Sequence, residues 1–172
     1  MKRLFFALWP DDAIRRQCCL IIEKIGVATV RPVEPNNLHA TLLFLGNIDA
    51  EQEIAITAAA ATVSVSSMAL RFDRLSYWRK PGILCLTSQH VDPEAASLAR
   101  QLAEIATQYG VTIDERPFRP HVTLARKAKA PVVAEFEPIV WISEAFCLVE
   151  SCSAAEGVAY RVVKRWGGSC PS

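Results

Sequence analysis

Apolar residues recur along this chain with two periods, and the switches between them divide it into elements. A short apolar run over residues 3–8 predicts a strand. Over residues 11–25, Ile14, Cys18, Ile21, Ile22 and Ile25 recur at helical spacing, with Pro10 suiting the start and Gly26 the stop. Pro32, Pro35, Asn36 and Asn37 make residues 27–37 a loop. A second strand is predicted over residues 38–45, closed by Gly46-Asn47, and an Ala-rich helix over 49–63. Residues 68–76 and 83–88 read as strands around the basic turn Trp78-Arg79-Lys80-Pro81-Gly82. Residues 93–109 predict a helix with Leu98, Leu102, Ile105 and Tyr109 on one face. A strand at His121–Arg126 follows, and residues 139–149 and 158–166 close the chain as a strand pair. The mixture is α+β, with antiparallel strands interleaved with helices.

This pattern contains an echo. His39-Ala40-Thr41-Leu42 and His121-Val122-Thr123-Leu124 share H-x-T followed by an apolar residue, 82 residues apart. The same offset carries the first strand and helix roughly onto residues 86–90 and 93–107, the second strand and helix. A period this long indicates duplication rather than a solenoid. Two such halves packed side by side bring two equivalent strands to one cleft.

Composition narrows the class. The 172 residues are 51% hydrophobic and 22% charged, with a formal net charge of +1. These values exclude a disordered tail and a histone-like coat for nucleic acid. Pro10, Asp11 and Asp12 interrupt the N-terminal apolar run too early for a signal peptide, and no stretch has the ~18 apolar residues of a membrane span. The six cysteines lack a C-x-x-C pair and read as reduced thiols, so a cytoplasmic protein is expected.

Charge is uneven within the neutral total. Residues 114–129 hold five basic and two acidic side chains, and residues 71–80 four and one. Arg161, Lys164 and Arg165 form a third cluster, whereas residues 130–160 carry five acids and no Lys or Arg. Arginine matches phosphate through its planar fork of donors. Together with Phe44, Tyr77 and Trp78 as stacking surfaces, the clusters point to a nucleotide or RNA phosphate.

His39 and His121 are the candidate chemistry. On a strand, residues two apart face the same way, so each half presents an imidazole beside a hydroxyl, Thr41 or Thr123. Imidazoles titrate near neutrality, so one ring can act as a general base and the other as a general acid. His90 lacks this context. No carboxylate cluster, H-E-x-x-H motif or Gly-rich phosphate loop is present, so no metal or cofactor is expected.

At these residues the sequence resembles the two-histidine phosphoesterase superfamily, and within it the bacterial RNA 2′,3′-cyclic phosphodiesterases of the 2′-5′ RNA ligase family. Residues 3–7 match the opening strand. Residues 37–46 match the first motif, HxTxxF, and residues 116–126 the second, HxTxxR. Ser151 and Tyr160 match the closing segment. The resemblance implies a bilobal α+β domain over residues 1–172, with two antiparallel sheets flanking a cleft, helices outside and one motif per half. It implies metal-free hydrolysis of RNA 2′,3′-cyclic phosphate ends to 2′-phosphomonoesters, with small cyclic nucleotides as further candidate substrates. His39 is then the general acid and His121 the general base. Thr41 and Thr123 hold phosphoryl oxygens, Arg126 clamps the phosphate, and Phe44 stacks on the terminal base. Phe44 and Arg126 stand five residues after their histidines, an odd offset that a regular strand aims away from the site, so the strand is expected to end, bulge or twist there. A monomer without membrane association is expected. A 2′-5′ RNA ligase and a non-catalytic RNA-binding module are the alternatives.

Overall fold

The computed structural model describes residues 1–26, 30–154 and 157–168. The tail residue Cys170 and residues 27–29 of the expected loop lie outside the described residues. Ten strands and three α-helices follow in the order β1 (Lys2–Leu8), α1 (Asp12–Ile25), β2 (Arg31–Pro32), β3 (Ala40–Ile48), α2 (Ala50–Ala60), β4 (Met68–Phe72), β5 (Arg74–Trp78), β6 (Ile83–Thr87), α3 (Pro93–Gln108), β7 (His121–Arg126), β8 (Ile139–Ser143), β9 (Ala145–Ala154) and β10 (Gly157–Gly167). A 3-10 turn at Pro35–Asn37 precedes β3. Each α-helix starts at an aspartate whose carboxylate accepts a first-turn N–H, Asp11 from Ile14, Asp49 from Gln52 and Asp92 from Ala95.

An eight-stranded sheet runs in the order β10-β9-β1-β3-β7-β6-β5, with β2 also paired to β7, and β4 and β8 form a separate two-stranded sheet. All pairings are antiparallel. The large sheet has two wings of four strands, β10-β9-β1-β3 and β2-β7-β6-β5, joined where β3 meets β7.

That junction has one register pair, Ala40 with Val122, whose numbers differ by the 82 residues of the sequence echo. Equivalent residues of the two halves therefore face each other, and a pseudo-twofold axis normal to the sheet passes between them. Such an axis keeps both H-x-T motifs on one face. Extending the antiparallel register by one residue each way sets Thr41 against His121 and His39 against Thr123.

All three helices pack on the opposite face. Leu4, Phe6 and Leu8 of β1, Leu86 of β6 and Leu124 of β7 share one buried cluster there with Ile21 of α1, Ile56 of α2 and Leu102 of α3. Fully burying each side chain of this size contributes about 1.5–3 kcal/mol, so the sheet is fixed mainly from its helical side. The motif face carries a smaller cluster, Phe5, Ala7, Cys147 and Val149. No helix among the described residues is long and apolar enough to cross a membrane.

Two expected strands are each divided. Residues 68–76 become β4 and β5, and residues 139–149 become β8 and β9, with the halves in different sheets. The chain changes sheet at Asp73 and Glu144. Met68, Leu70 and Phe72 alternate inward across from Ile139, Trp141 and Ser143, so β4 and β8 cover the core as a separate pair. The expected loop over residues 27–37 contains β2 and the 3-10 turn. The Ala-rich helix ends at Ala60, short of residue 63.

Candidate active site

The two histidines are held by the same device. His39 Nδ1 donates to the Asn37 carbonyl at 2.7 Å, and His121 Nδ1 to the Arg119 carbonyl at 2.9 Å. A carbonyl only accepts, so Nδ1 carries the proton in each neutral ring and Nε2 is left unprotonated, as an acceptor. Asn37 and Arg119 are themselves 82 residues apart. His39 Nε2 also lies 3.1 Å from Thr41 Oγ1.

The odd offset of Phe44 and Arg126 is resolved by paired bulges. In β1–β3, Ala7 pairs with Thr41 and Phe6 with Leu43, which leaves Leu42 as the extra residue. In β6–β7, Cys85 pairs with Thr123 and Leu84 with Ala125, which leaves Leu124 extra. Each bulge follows the motif threonine directly and reverses the alternation. Phe44 thus returns to the face of His39 and Thr41, and Arg126 to that of His121 and Thr123. Phe44 is 56% exposed, its ring 5.6 Å from Phe5, leaving its outer side free for a ligand.

The surroundings of the two rings differ. His39 lies in an aromatic box. Trp9 is stacked on it at 5.8 Å and 12°, Phe5 is at 5.0 Å, and Tyr160 is edge-on at 4.9 Å. Burial pushes its pKa down from 6.5 to about 4, against the Asn37 carbonyl, and the positive charges of His121 and Arg126 lower it further. These couplings show that His39, His121 and Arg126 share one space. His121 meets Trp78 at 4.8 Å. Burial lowers its pKa as well, opposed by the Arg119 carbonyl. Both rings are therefore neutral at pH 7 in the empty cleft.

Asn37 links the first ring to the sheet edge. Its amide donates to the Val158 carbonyl at 2.8 Å and accepts from the Tyr160 N–H at 3.1 Å, so β10 holds the residue whose carbonyl orients His39. Ser151 pairs with Tyr160 across β9 and β10.

The structure thus brings His39, Thr41, Phe44, His121, Thr123 and Arg126 to one face. Tyr77 does not join them. It pairs with Leu84 and points to the other side of the sheet, its hydroxyl donating to the Ala128 carbonyl at 3.4 Å. Simple alternation separates it from Trp78. Sequence reasoning missed Trp9, Phe5 and the Asn37 clamp. Phe5 stands in β1 and Trp9 just past its end at the same parity, so both are legible from alternation, whereas the clamp needs β10 to be placed beside residue 37. A surface cavity of about 480 Å³ between Val63, Val65 and Trp166 contains none of the candidate residues, which share the motif face of the large sheet instead. Among the described residues, no three His, Cys, Asp or Glu side chains are grouped to hold a metal ion.

One sheet face thus carries two imidazoles with unprotonated Nε2 atoms, two hydroxyls and a guanidinium. A family model described as the 2′-5′ RNA ligase superfamily matches residues 10–151, and the chain belongs to that superfamily. The RNA 2′,3′-cyclic phosphodiesterase of Escherichia coli (strain K12) is 32% identical over 96% of both chains. The protein of the same name from Archaeoglobus fulgidus is 33% identical over 77% of both. Among solved structures, E. coli LigT complexed with 3′-AMP superposes with a TM-score of 0.86 at 30% identity, covering 96% of this chain and 97% of that one.

Proposed function

We propose that this protein is an RNA 2′,3′-cyclic phosphodiesterase that opens the terminal cyclic phosphate to a 2′-phosphomonoester without a metal ion. The support is the pseudo-twofold arrangement of two Nδ1-tethered imidazoles around the Ala40–Val122 pair. His121 Nε2 takes a proton from water as the water oxygen bonds to phosphorus. The bond from phosphorus to O3′ breaks, and His39 Nε2–H delivers its proton to the departing O3′. Thr41, Thr123 and Arg126 donate to the phosphoryl oxygens as charge gathers on them. Phe44 stacks on the terminal base.

His39 must be charged to act as the acid, yet its pKa is about 4 in the empty cleft. The anionic substrate supplies the missing term, because a phosphate beside the ring favours the imidazolium. The two halves work as a single bilobal domain, since the reaction draws one histidine from each. A reducing compartment, the cytoplasm, suits the five free thiols among the described residues.

The test is incubation of RNA bearing a 2′,3′-cyclic phosphate with the protein in EDTA, with and without a 5′-hydroxyl acceptor. The expected product is a 2′-phosphate end in both cases. Joined strands would replace hydrolysis by ligation, loss of turnover in EDTA would overturn the metal-free step, and a 3′-phosphate would reverse the leaving oxygen.

A further inference from the structure

The sequence shows three basic clusters, and the fold distributes them unequally. Gly82 N donates to the Trp78 carbonyl at 2.8 Å, and Ala128 N to the Gly82 carbonyl at 3.0 Å, so the β5–β6 turn docks on the segment after β7. Gly82 has φ +78°, and a Cβ there would stand 3.0 Å from the Ala128 carbonyl oxygen, so only glycine suits the junction. This docking fuses two clusters into one rim. Arg79, Lys80, Lys127 and Lys129 are all exposed on it. Arg74 stands apart from the rim, at the other end of β5, where it pairs with Thr87, which pairs with His121. An imidazole, a hydroxyl and a guanidinium thus form one row leading out of the cleft over about two strand spacings, roughly 10 Å.

Among the described residues, no ion pair joins any of these five cations to a carboxylate, whereas Arg71 pairs with Asp73, Arg116 with Asp114 and Arg161 with Glu150. The third cluster, Arg161, Lys164 and Arg165, lies on β10 at the far edge of the sheet, beside the acidic stretch of residues 130–160. Four exposed cations gathered on one rim, against a β10 cluster that lies beside acidic β9 with Arg161 paired to Glu150, give the sheet a polarity.

We propose that the RNA strand preceding the cyclic phosphate leaves the cleft across the β7-β6-β5 wing, with its penultimate base on Trp78 and its backbone phosphates on the fused basic rim. This rests on the function proposed above, with the terminal base on Phe44 in the other wing. Trp78, ring to ring with His121 at 4.8 Å, is the first aromatic surface on that path. Stacking on it is indifferent to base identity, so the wing reads length and charge rather than sequence.

The experiment compares two double variants with equal charge change, Lys80→Gln with Lys129→Gln on the rim and Lys164→Gln with Arg165→Gln on β10. KM is measured for a cyclic mononucleotide and for an octaribonucleotide ending in the cyclic phosphate, across a salt series. The rim variant should raise the octamer-to-mononucleotide KM ratio roughly 10-fold and flatten the log–log salt slope by about 1.4, the value for two lost contacts to single-stranded RNA. The β10 variant should leave both unchanged. Equal effects from the two edges, or an unmoved octamer slope in the rim variant, would overturn the proposal. Anisotropy with a labelled octamer ending in a 2′-phosphate gives the same comparison without turnover. Rim-dependent binding by a protein that hydrolyses nothing would keep the strand path and discard the catalytic reading.

Discussion

The wing that carries His39 and the wing that carries His121 share a backbone and differ in what surrounds it. In each, a histidine donates Nδ1–H to the carbonyl two residues before it, a threonine follows, and a bulge just beyond restores the side chain five residues on to the same face. Around His39 the protein places Phe5, Trp9 and Tyr160, and beyond it Phe44. Around His121 it places Trp78, Arg126 and the hydroxyl pair of Ser76 and Thr87 at 2.7 Å. The two wings have equal backbone geometry and different neighbours. An apolar box lowers the pKa of His39, while the other wing carries the arginine.

The variants that break this comparison most severely remove either ring. His39→Ala and His121→Ala should each lower kcat by at least ~10²-fold with circular dichroism unchanged, because each removes one proton-transfer step. A variant that keeps more than about a tenth of the wild-type rate would free that ring from its role. Arg126 comes next. It stands on the exposed end of β7, and its fork matches two equatorial oxygens of the transition state. Arg126→Lys should lose nearly as much kcat as Arg126→Ala, on the order of 10²-fold. A wild-type kcat with raised KM would reduce this arginine to a docking charge.

The paired motifs made the site legible before the fold. The 82-residue offset located both strands, and the odd spacing of Phe44 and Arg126 required each strand to end, bulge or twist, which the structure meets with bulges at Leu42 and Leu124. What sequence could not give is where strands change partners. No Gly or Pro marks Asp73 or Glu144, so residues 68–76 and 139–149 read as single strands although each serves two sheets. Tyr77 and Trp78 are neighbours in sequence and opposites in space, and only the register with Leu84 and Ile83 assigns their faces. The Asn37 clamp joins residues more than a hundred positions apart and leaves no local signal.

That clamp sharpens the comparison at smaller scale. The carbonyl that orients His39 belongs to a residue pinned through its side chain, whereas the one that orients His121 belongs to Arg119, whose side chain makes no hydrogen bond among the described residues. Asn37→Ala should lower kcat roughly 10-fold, the equivalent of one or two lost hydrogen bonds, and Arg119→Ala should leave it unchanged. Steady-state kinetics on a cyclic mononucleotide separate the two, and equal losses would remove the distinction between the wings.

The least visible difference is in acid stability. The folded pKa of His39 is depressed below its ordinary value, so between pH 4 and 6.5 the unfolded chain binds more protons and stability rises with pH. The neutral ring's advantage is complete above pH 6.5 and has fallen by on the order of 3 kcal/mol at pH 4. Urea unfolding should show less loss over this window in His39→Phe than in the wild type. Parallel curves would remove the apolar box as the cause of the shift.

The division of roles between two geometrically equivalent rings is tested most directly by an NMR titration of both imidazoles, with the protein empty and then holding a 2′-phosphomononucleotide. The account predicts a His39 pKa of about 4 in the empty cleft, a depressed value for His121, and a clear rise of His39 when the phosphate binds. A His39 that titrates at 6.5 or above in the empty protein, or that does not move when the anion enters, would contradict it.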